Sequence, residues 1–196
     1  MNATQLTLFN LSNDSSQSFV IFQPLNMQST DVQTIAWRVV SQSPKGWSFP
    51  FPFTSDLTFS VTDPSGNISP PIALESTQLW QIEQTDSGTA IVLSSTTQLP
   101  ANTFGFANQM KEAIVVTILR NNKACLIYKI TPFITVQFSL PSAIGIAATP
   151  TPVEEGLPVN LTGVTYLELN GISKADIIAT GGGNIPVAFE LVNKTM

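Results

Sequence analysis

Apolar and polar residues alternate along short runs through most of the chain. In Ser55–Thr62, for example, Leu57, Phe59 and Val61 fall on one side and polar residues on the other. This period of two is typical of a strand with one buried face. Similar runs, bounded by Pro, Gly, Asn, Asp and Ser, recur about every ten to fifteen residues. We predict strands at Gln5–Leu11, Ser18–Gln23, Thr34–Ser41, Asp56–Thr62, Gln78–Glu83, Ala90–Ser94, Thr103–Ala107, Ala113–Leu119, Ala124–Ile130, Ile134–Leu140, Val164–Leu169, Ala175–Ala179 and Val187–Val192.

Three of these runs are apolar on both faces: Phe19–Phe22, Ile114–Leu119 and Leu126–Ile130. Such runs are typical of central strands that are covered on both sides. No window of a dozen residues carries a convincing helical stripe. The pattern therefore predicts an all-β protein, and we interpret it as a two-sheet antiparallel β-sandwich, jelly-roll-like, in a single domain over residues 1–196.

Turn-forming residues separate the predicted strands. Asp63–Asn67 combines a proline with a glycine, Arg120–Lys123 fits a two-residue hairpin, and Gly181–Gly183 allows a sharp reversal. Two proline-rich segments, 44–53 and 149–158, are predicted to be long loops, because proline restricts both itself and the residue before it.

The composition argues against the commonest catalytic chemistry. The chain has no histidine, which removes the usual general base and the usual zinc or copper ligand. Its one cysteine, Cys125, rules out disulfides within the chain and multi-thiolate metal sites, and its strand context indicates a buried, inert thiol. We therefore expect no enzyme activity, no metal and no cofactor.

The charge content points away from nucleic acid and towards self-contact. Only 11% of residues are charged, the net charge is −5, and the Lys and Arg residues are scattered. A basic footprint for nucleic acid is missing. A surface rich in hydroxyls and amides repels copies of itself weakly, so we expect homo-oligomers or ordered arrays.

The chain shows neither a signal-like N-terminal stretch nor eighteen consecutive apolar residues. We expect no transmembrane segment, and either a cytoplasmic location or export without a cleavable signal peptide.

Carboxylates and glycines offer weaker candidates for chemistry. Glu154 and Glu155 are adjacent on a proline-rich loop, where side chains usually diverge. The acidic residues elsewhere in the chain leave a glycosidase-like pair open as an alternative. Gly181–Gly183 is followed by a strand and not by a helix, so a turn is favoured over a phosphate loop.

The aromatic segment 44–53 is the strongest candidate for binding. Trp47 lies beside Lys45 and is followed by Phe49 and Phe51. Exposed loop aromatics stack on ligands such as sugars, so Trp47, Phe49, Phe51 and Lys45 form a candidate binding site. The alternative is that the phenylalanines close the open end of a sandwich.

Several stretches resemble a set of small all-β bacterial hypothetical proteins. They are Thr7–Ser12, Ser18–Gln23, Ile35–Trp37, the section Ala113–Gln137, and the Glu155-Gly156 turn. The resemblance covers most of the chain and implies a bacterial, signal-less single domain. It implies no activity and carries over no site residue.

Three functions remain open at this point. The first is a structural or assembly role through self-association or protein interaction. The second is a lectin-like module that binds a glycan around Trp47. The third is a membrane-active, toxin-like β protein.

Overall fold

The computed structural model describes residues 3–14, 16–25 and 31–196. The described residues form strands and turns, with no helix among them. The strands are β1 Ala3–Asn10, β2 Ser18–Phe22, β3 Val32–Thr34, β4 Arg38–Val40, β5 Ser48–Thr54, β6 Leu57–Thr62, β7 Ile72–Leu74, β8 Gln78–Thr85, β9 Gly88–Gln98, β10 Phe104–Asn108, β11 Ile114–Arg120, β12 Lys123–Ile130, β13 Thr135–Phe138, β14 Ala143–Thr149, β15 Thr165–Glu168, β16 Lys174–Gly182 and β17 Ile185–Thr195. The prediction of an all-β chain is confirmed.

The strands make four sheets, whereas the sequence predicted two. Their strand orders are β17-β16-β1-β5, β15-β14-β2-β4, β13-β10-β8-β9 and β3-β12-β11-β6-β7. The prediction of purely antiparallel pairing is also wrong, because β1 runs parallel to β16 and β10 runs parallel to β8. Periodicity reports which face of a strand is buried and carries no information on strand order or direction.

The chain divides into two compact units. Unit 1 takes the described residues of Met1–Pro24, Thr34–Ser55 and Ser142–Met196, and unit 2 takes those of Leu25–Gln33 and Asp56–Pro141. The first two sheets belong to unit 1 and the last two to unit 2. Single-domain behaviour in solution stays a prediction, which a one-step unfolding transition would test.

Within unit 1, aromatic rings join the two sheets. Phe19 of β2 meets Phe189 of β17 edge to face, with centroids 5.5 Å apart. All of β2 is buried, as predicted for a strand that is apolar on both faces. On the other sheet, Leu6 and Leu8 of β1 are buried opposite Phe51 and Phe49 of β5.

Unit 2 is built in the same way. Phe59 of β6 contacts Trp80 of β8 and Phe106 of β10, at 5.2 and 4.9 Å between centroids. Tyr128 of β12 stacks on Phe138 of β13 at 4.8 Å. In this unit β11 buries alternate residues fully, and the residues between them are half-buried, so its predicted cover on both faces is seen in full on one face only.

The two proline-rich segments have different outcomes. Residues 150–158 lie outside the strands, in agreement with the predicted loop, although Pro158 makes an isolated bridge with Ile35. The predicted loop 44–53 is wrong from residue 48 onward, because Ser48–Thr54 is strand β5. This strand tolerates prolines because it is an edge strand. Because Asn10 N donates to Trp47 O, the odd-numbered residues of β5 direct their backbone N–H and C=O groups towards β1. The backbone of Pro50 and Pro52 is directed away from β1, on the free edge, where the ladder needs no N–H.

The predicted turns are confirmed. Asn121 and Asn122 both adopt left-handed φ values, 52° and 58°, as a two-residue hairpin between β11 and β12 requires. At Asp63, the carboxylate Oδ1 accepts from the backbone N–H groups of Ser65 and Asn67, both at 2.9 Å.

The two units share one strand arrangement. Reading β17-β16-β1-β5 in unit 1 against β9-β8-β10-β13 in unit 2, each pair of neighbours runs in the same relative direction. The same holds for β15-β14-β2-β4 against β7-β6-β11-β12, with β3 added beyond β12.

Candidate functional site

The structure gives the four residues that the sequence grouped as a binding site very different exposures. Trp47 is 61% exposed, just before β5. Lys45 Nζ donates to Asn13 Oδ1 at 2.7 Å, which holds the ammonium group against the β1–β2 loop. Phe49 is half-buried, and Phe51 is buried.

Phe51 is therefore a core residue, and its assignment to a ligand platform is wrong. Its ring meets Trp37 edge to face at 6.1 Å, and Phe53 meets the same indole at 5.9 Å. The alternation of β5 turns every second side chain inward, so Phe51 and Phe53 fill the unit as the alternative hypothesis expected.

A cavity of about 590 Å³ opens in unit 2, away from the predicted site. It lies where the β6–β7, β10–β11 and β12–β13 loops meet the adjoining ends of β8 and β9. Its lining is mostly polar, with three carboxylates, two amides, an ammonium group and one aromatic ring. The residues that carry these groups are Asp63, Glu83, Glu112, Gln84, Gln109, Lys111 and Phe133.

Asn108 holds two of these loops together. It is fully buried at the end of β10, and its Oδ1 accepts from Met110 N at 2.9 Å. Its Nδ2 donates to the carbonyl oxygens of Glu112, Ile130 and Thr131, at 2.8 to 3.2 Å. One amide therefore satisfies the polar backbone of both the β10–β11 and the β12–β13 loops, which positions this wall of the cavity.

Phe133 stands at the cavity in a strained conformation. Its φ is +59°, a left-handed value that is unusual for a bulky residue, and its side chain is 66% exposed. Two backbone bonds flank it, from Ile134 N to Thr131 O at 3.3 Å and from Asn108 N to Ile134 O at 2.9 Å. These bonds hold the turn closed and leave the ring in solvent.

The corresponding turn of unit 1 carries a glycine in place of this phenylalanine. Trp47 N donates to Pro44 O, and Asn10 N donates to Trp47 O, which repeats the bonding around Ile134. Gly46 then corresponds to Phe133, and its φ is +86°. Glycine adopts this conformation without strain, so the fold itself does not require a phenylalanine there.

Asp63 provides a fixed anion at the cavity. Besides the two backbone N–H groups, Asn67 Nδ2 donates to Oδ2 at 3.0 Å and Thr89 Oγ1 donates to it at 3.2 Å. Hydrogen bonds from Asn67, Thr89 and Ser65 lower the pKa of Asp63 below its ordinary value of 3.8. This carboxylate stays ionised at neutral pH, so it can accept hydrogen bonds but cannot supply a proton.

Cys125 and Arg120 are out of reach of a ligand. Cys125 is fully buried, as its strand context predicted, and burial raises the pKa of its thiol to about 11. The neighbouring Arg120 is 3% exposed, and burial lowers its pKa to about 10. Within 3–14, 16–25 and 31–196, no group of three or more Cys, Asp or Glu residues is placed to hold a metal ion. The same residues include no helix long and apolar enough to cross a membrane.

Sequence reasoning missed the cavity because its residues come from three separate loops and from strands β8 and β9. Two signals were available: the Asp63–Asn67 turn, which we interpreted only as a turn, and Phe133, which follows a proline between two predicted strands. Comparison with known protein families, with curated proteins and with solved structures gave no match.

Proposed function

We propose that this protein is a non-enzymatic binding protein that holds a carbohydrate, or a similar polyhydroxylated molecule, in the unit 2 cavity. The observation that carries the proposal is Phe133. Its left-handed φ costs about 1–2 kcal/mol for a residue other than glycine. The ring is exposed and contributes little to the core, so stability does not account for this cost. An aromatic platform for a ligand does account for it.

The chemistry around the ring suits a sugar. One face of a pyranose ring is rich in C–H groups and stacks on an aromatic face, while its hydroxyls need both donors and acceptors. Beside Phe133, the carboxylates of Glu83 and Glu112 offer acceptors, and Gln84 and Gln109 offer amides of both kinds. The cavity volume of about 590 Å³ lies within the usual range for small-molecule sites, roughly 300–1,000 Å³.

The state of Asp63 favours binding over hydrolysis at this carboxylate. A glycosidase needs one carboxylic acid with a raised pKa to protonate the leaving group. Asp63 is pushed the other way by its hydrogen bonds. Together with the lack of histidine, this supports a site that recognises hydroxyls and leaves bonds intact.

A glycan array followed by calorimetry tests the proposal. Wild type should bind at least one glycan, and Phe133→Gly should lose that binding while it stays folded, because glycine suits the left-handed turn. Trp47→Ala is the matched control, since it removes the other exposed loop aromatic. Retained binding in Phe133→Gly with loss in Trp47→Ala would move the site to Trp47, and an empty wild-type array would end the proposal.

A second candidate function is self-association through strand β9, and one observation favours it. β9 is an eleven-residue strand at the end of its sheet, with no proline, and the chain has no charge between Asp86 and Lys111. Most of β9 is exposed, including Val92 and Leu93. The other long described edges are interrupted: β5 by Pro50 and Pro52, and β17 by Pro186 and charged residues. Proteins usually block free edges in such ways, so an open edge suits pairing with another strand.

Sedimentation at increasing concentration tests this second candidate. Leu93→Lys places a charge on the β9 edge and should keep the protein monomeric. The matched control is Leu157→Lys, because Leu157 is similarly exposed, at 50% against 42%, but lies in unit 1 outside the strands. A wild-type chain that stays monomeric at high concentration would refute the assignment.

We also propose that each unit is a β-sandwich. The ring contacts from Phe19 to Phe189 in unit 1, and from Phe59 to Phe106 in unit 2, support two sheets packed face to face. An experimental structure in which either pair of sheets lies side by side would contradict this.

A further inference from the structure

The shared arrangement of the two units has a simple order along the chain. The strands fall into four consecutive segments, 3–54, 57–98, 104–138 and 143–195; the first and last belong to unit 1 and the middle two to unit 2. Leaving β3 aside, segments 3–54 and 143–195 make the sheets of unit 1, and segments 57–98 and 104–138 make those of unit 2. Strands β1, β2, β4 and β5 of the first segment take the places that β10 to β13 of the third segment take in unit 2. Likewise, β6 to β9 correspond to β14 to β17.

Local hydrogen bonds repeat at the corresponding positions. Asn10 and Asn108 are both fully buried at the end of their strands, and each Oδ1 accepts from the backbone N–H two residues later. Each Nδ2 donates to a backbone carbonyl at a corresponding turn: that of Ser43, before the β4–β5 turn, and that of Ile130, before the β12–β13 turn. Leu11 N and Gln109 N both donate to the neighbouring parallel strand. The correspondence therefore extends from topology to individual side chains.

We infer that the chain is a tandem duplication whose two repeats, residues 3–98 and 104–195, have exchanged halves. Each unit combines the first half of one repeat with the second half of the other. The binding partner that each half recognises is thus the complementary half of another repeat. That half is supplied by the same chain or by a second copy of this chain.

The connections between halves explain why the first repeat does not close on itself. In unit 2, β13 lies at the end of its sheet under β12, and β6 lies two strands from β12 in the facing sheet. Neighbouring strands lie about 4.8 Å apart and facing sheets about 10 Å apart. A connection that joined the two halves of one repeat within a single unit would therefore have to span about 14 Å. Thr54 and Leu57 are only three peptide steps apart, which reach about 11 Å at most. The second half of this repeat must therefore find its place beside another repeat.

A second copy offers surfaces identical to those that the chain already uses. An exchange between chains buries the same core residues and forms the same strand pairs, so it requires no contact that the single chain does not already make. The connection within one chain keeps the effective concentration of the halves high, which favours the single-chain form at low protein concentration. Dimers or longer assemblies should appear when the chain refolds at high concentration. This inference does not depend on the proposed ligand.

Cleavage between the repeats tests the inference on the full chain. A protease site inserted after Ala101, in the exposed turn between β9 and β10, allows the folded protein to be cut into its two repeats. Because each unit takes strands from both fragments, the cut protein should run as one particle of the intact mass until denaturant unfolds it. Fragments that separate in native buffer, each folded, would overturn the exchange.

Mixing then tests the second copy. Isotope-labelled and unlabelled cut proteins are unfolded together, refolded and weighed by native mass spectrometry. If the halves recognise one another across copies, about half of the particles should combine a labelled and an unlabelled fragment. Refolded particles without such hybrids would refute recognition between copies.

A circular permutant tests the duplication without any refolding of fragments. Ser173 N donates to Thr195 O and Gln5 N donates to Ser173 O, both at 2.8 Å, so Gln5 of β1 and Thr195 of β17 lie on either side of the start of β16. The permutant joins β17 to β1 with a linker as long as residues 99–103 and opens the chain after Ala101. Unit 1 then has a connection equivalent to the one between β9 and β10, and unit 2 loses that connection. The permutant should fold with a melting temperature within a few degrees of wild type. A permutant that is soluble but unfolded would contradict the equivalence.

Discussion

The strain at Phe133 predicts an unusual order of stability among substitutions at this position. Phe133→Ala removes the ring and keeps the left-handed strain, whereas Phe133→Gly removes both. The ring is 66% exposed, so it buries about one third of its surface, which is about 0.5–1 kcal/mol of the 1.5–3 kcal/mol for full burial. The left-handed conformation costs about 1–2 kcal/mol, which glycine avoids. Glycine also loses about 0.5–1 kcal/mol of stability, because the unfolded chain is more flexible with glycine at this position. Phe133→Gly should therefore be more stable than Phe133→Ala by about 1 kcal/mol and close to wild type.

Thermal and urea unfolding of both variants measure this difference. For a chain of this size, about 1 kcal/mol corresponds to roughly 2–4 °C in melting temperature. Gly46→Ala is the matched control in unit 1: nothing lies within 4 Å of its new Cβ, so any loss of stability, about 1 kcal/mol, reports the backbone alone. Equal midpoints for Phe133→Ala and Phe133→Gly would refute the argument from strain, and with it the main support for a ligand platform.

Four further predictions concern other parts of the fold. Pro50→Val restores an outward N–H on the β5 edge and should raise self-association in light scattering; unchanged scattering would show that the edge is protected otherwise. Asn108→Ala removes three hydrogen bonds to buried or half-buried carbonyl oxygens and one from Met110 N, and it should lower the free energy of unfolding by about 3 kcal/mol. Asn10→Ala is the unit 1 counterpart, and a loss below about 1 kcal/mol would contradict the bonding. The pKa of Asp63 is lower in the folded state, so the stability that its carboxylate contributes is complete above pH 3.8 and is lost as the pH falls through the folded pKa. Asp63→Asn should therefore reduce the fall in melting temperature at acid pH. The same fall in wild type and variant would speak against this. Cys125 should react with iodoacetamide only as fast as unit 2 opens, since burial raises its pKa to about 11, and rapid labelling of the native protein would disprove this.

Much of the local structure followed from the sequence. The alternation of Leu57, Phe59 and Val61 identified a strand with a buried face, and all three residues are buried. The Asn121-Asn122 pair identified a hairpin because few residues other than asparagine and glycine accept two consecutive left-handed conformations. These features depend on neighbours along the chain, and so the chain alone specifies them.

The candidate site was less accessible to the same reasoning. Trp47 was predicted to be an exposed loop aromatic, and it is 61% exposed. For Phe51, four residues further on, the sequence left open both a ligand platform and a role in closing the sandwich, and in the structure its ring packs against Trp37. An edge strand rich in proline has the composition of a loop, and only its pairing with β1 distinguishes the two.

By itself, the sequence determined that this is an all-β protein with one cysteine in a strand, few charges and no imidazole. These properties follow from residue types and from periods of two along the chain. The tertiary structure alone decided that there are four sheets in two units, that the two units share one strand arrangement, and that Phe133 lines one cavity together with acidic and amide side chains. Each of these depends on contacts between residues far apart in the chain, whose partners are selected by packing and by the length of the connections, and not by local pattern.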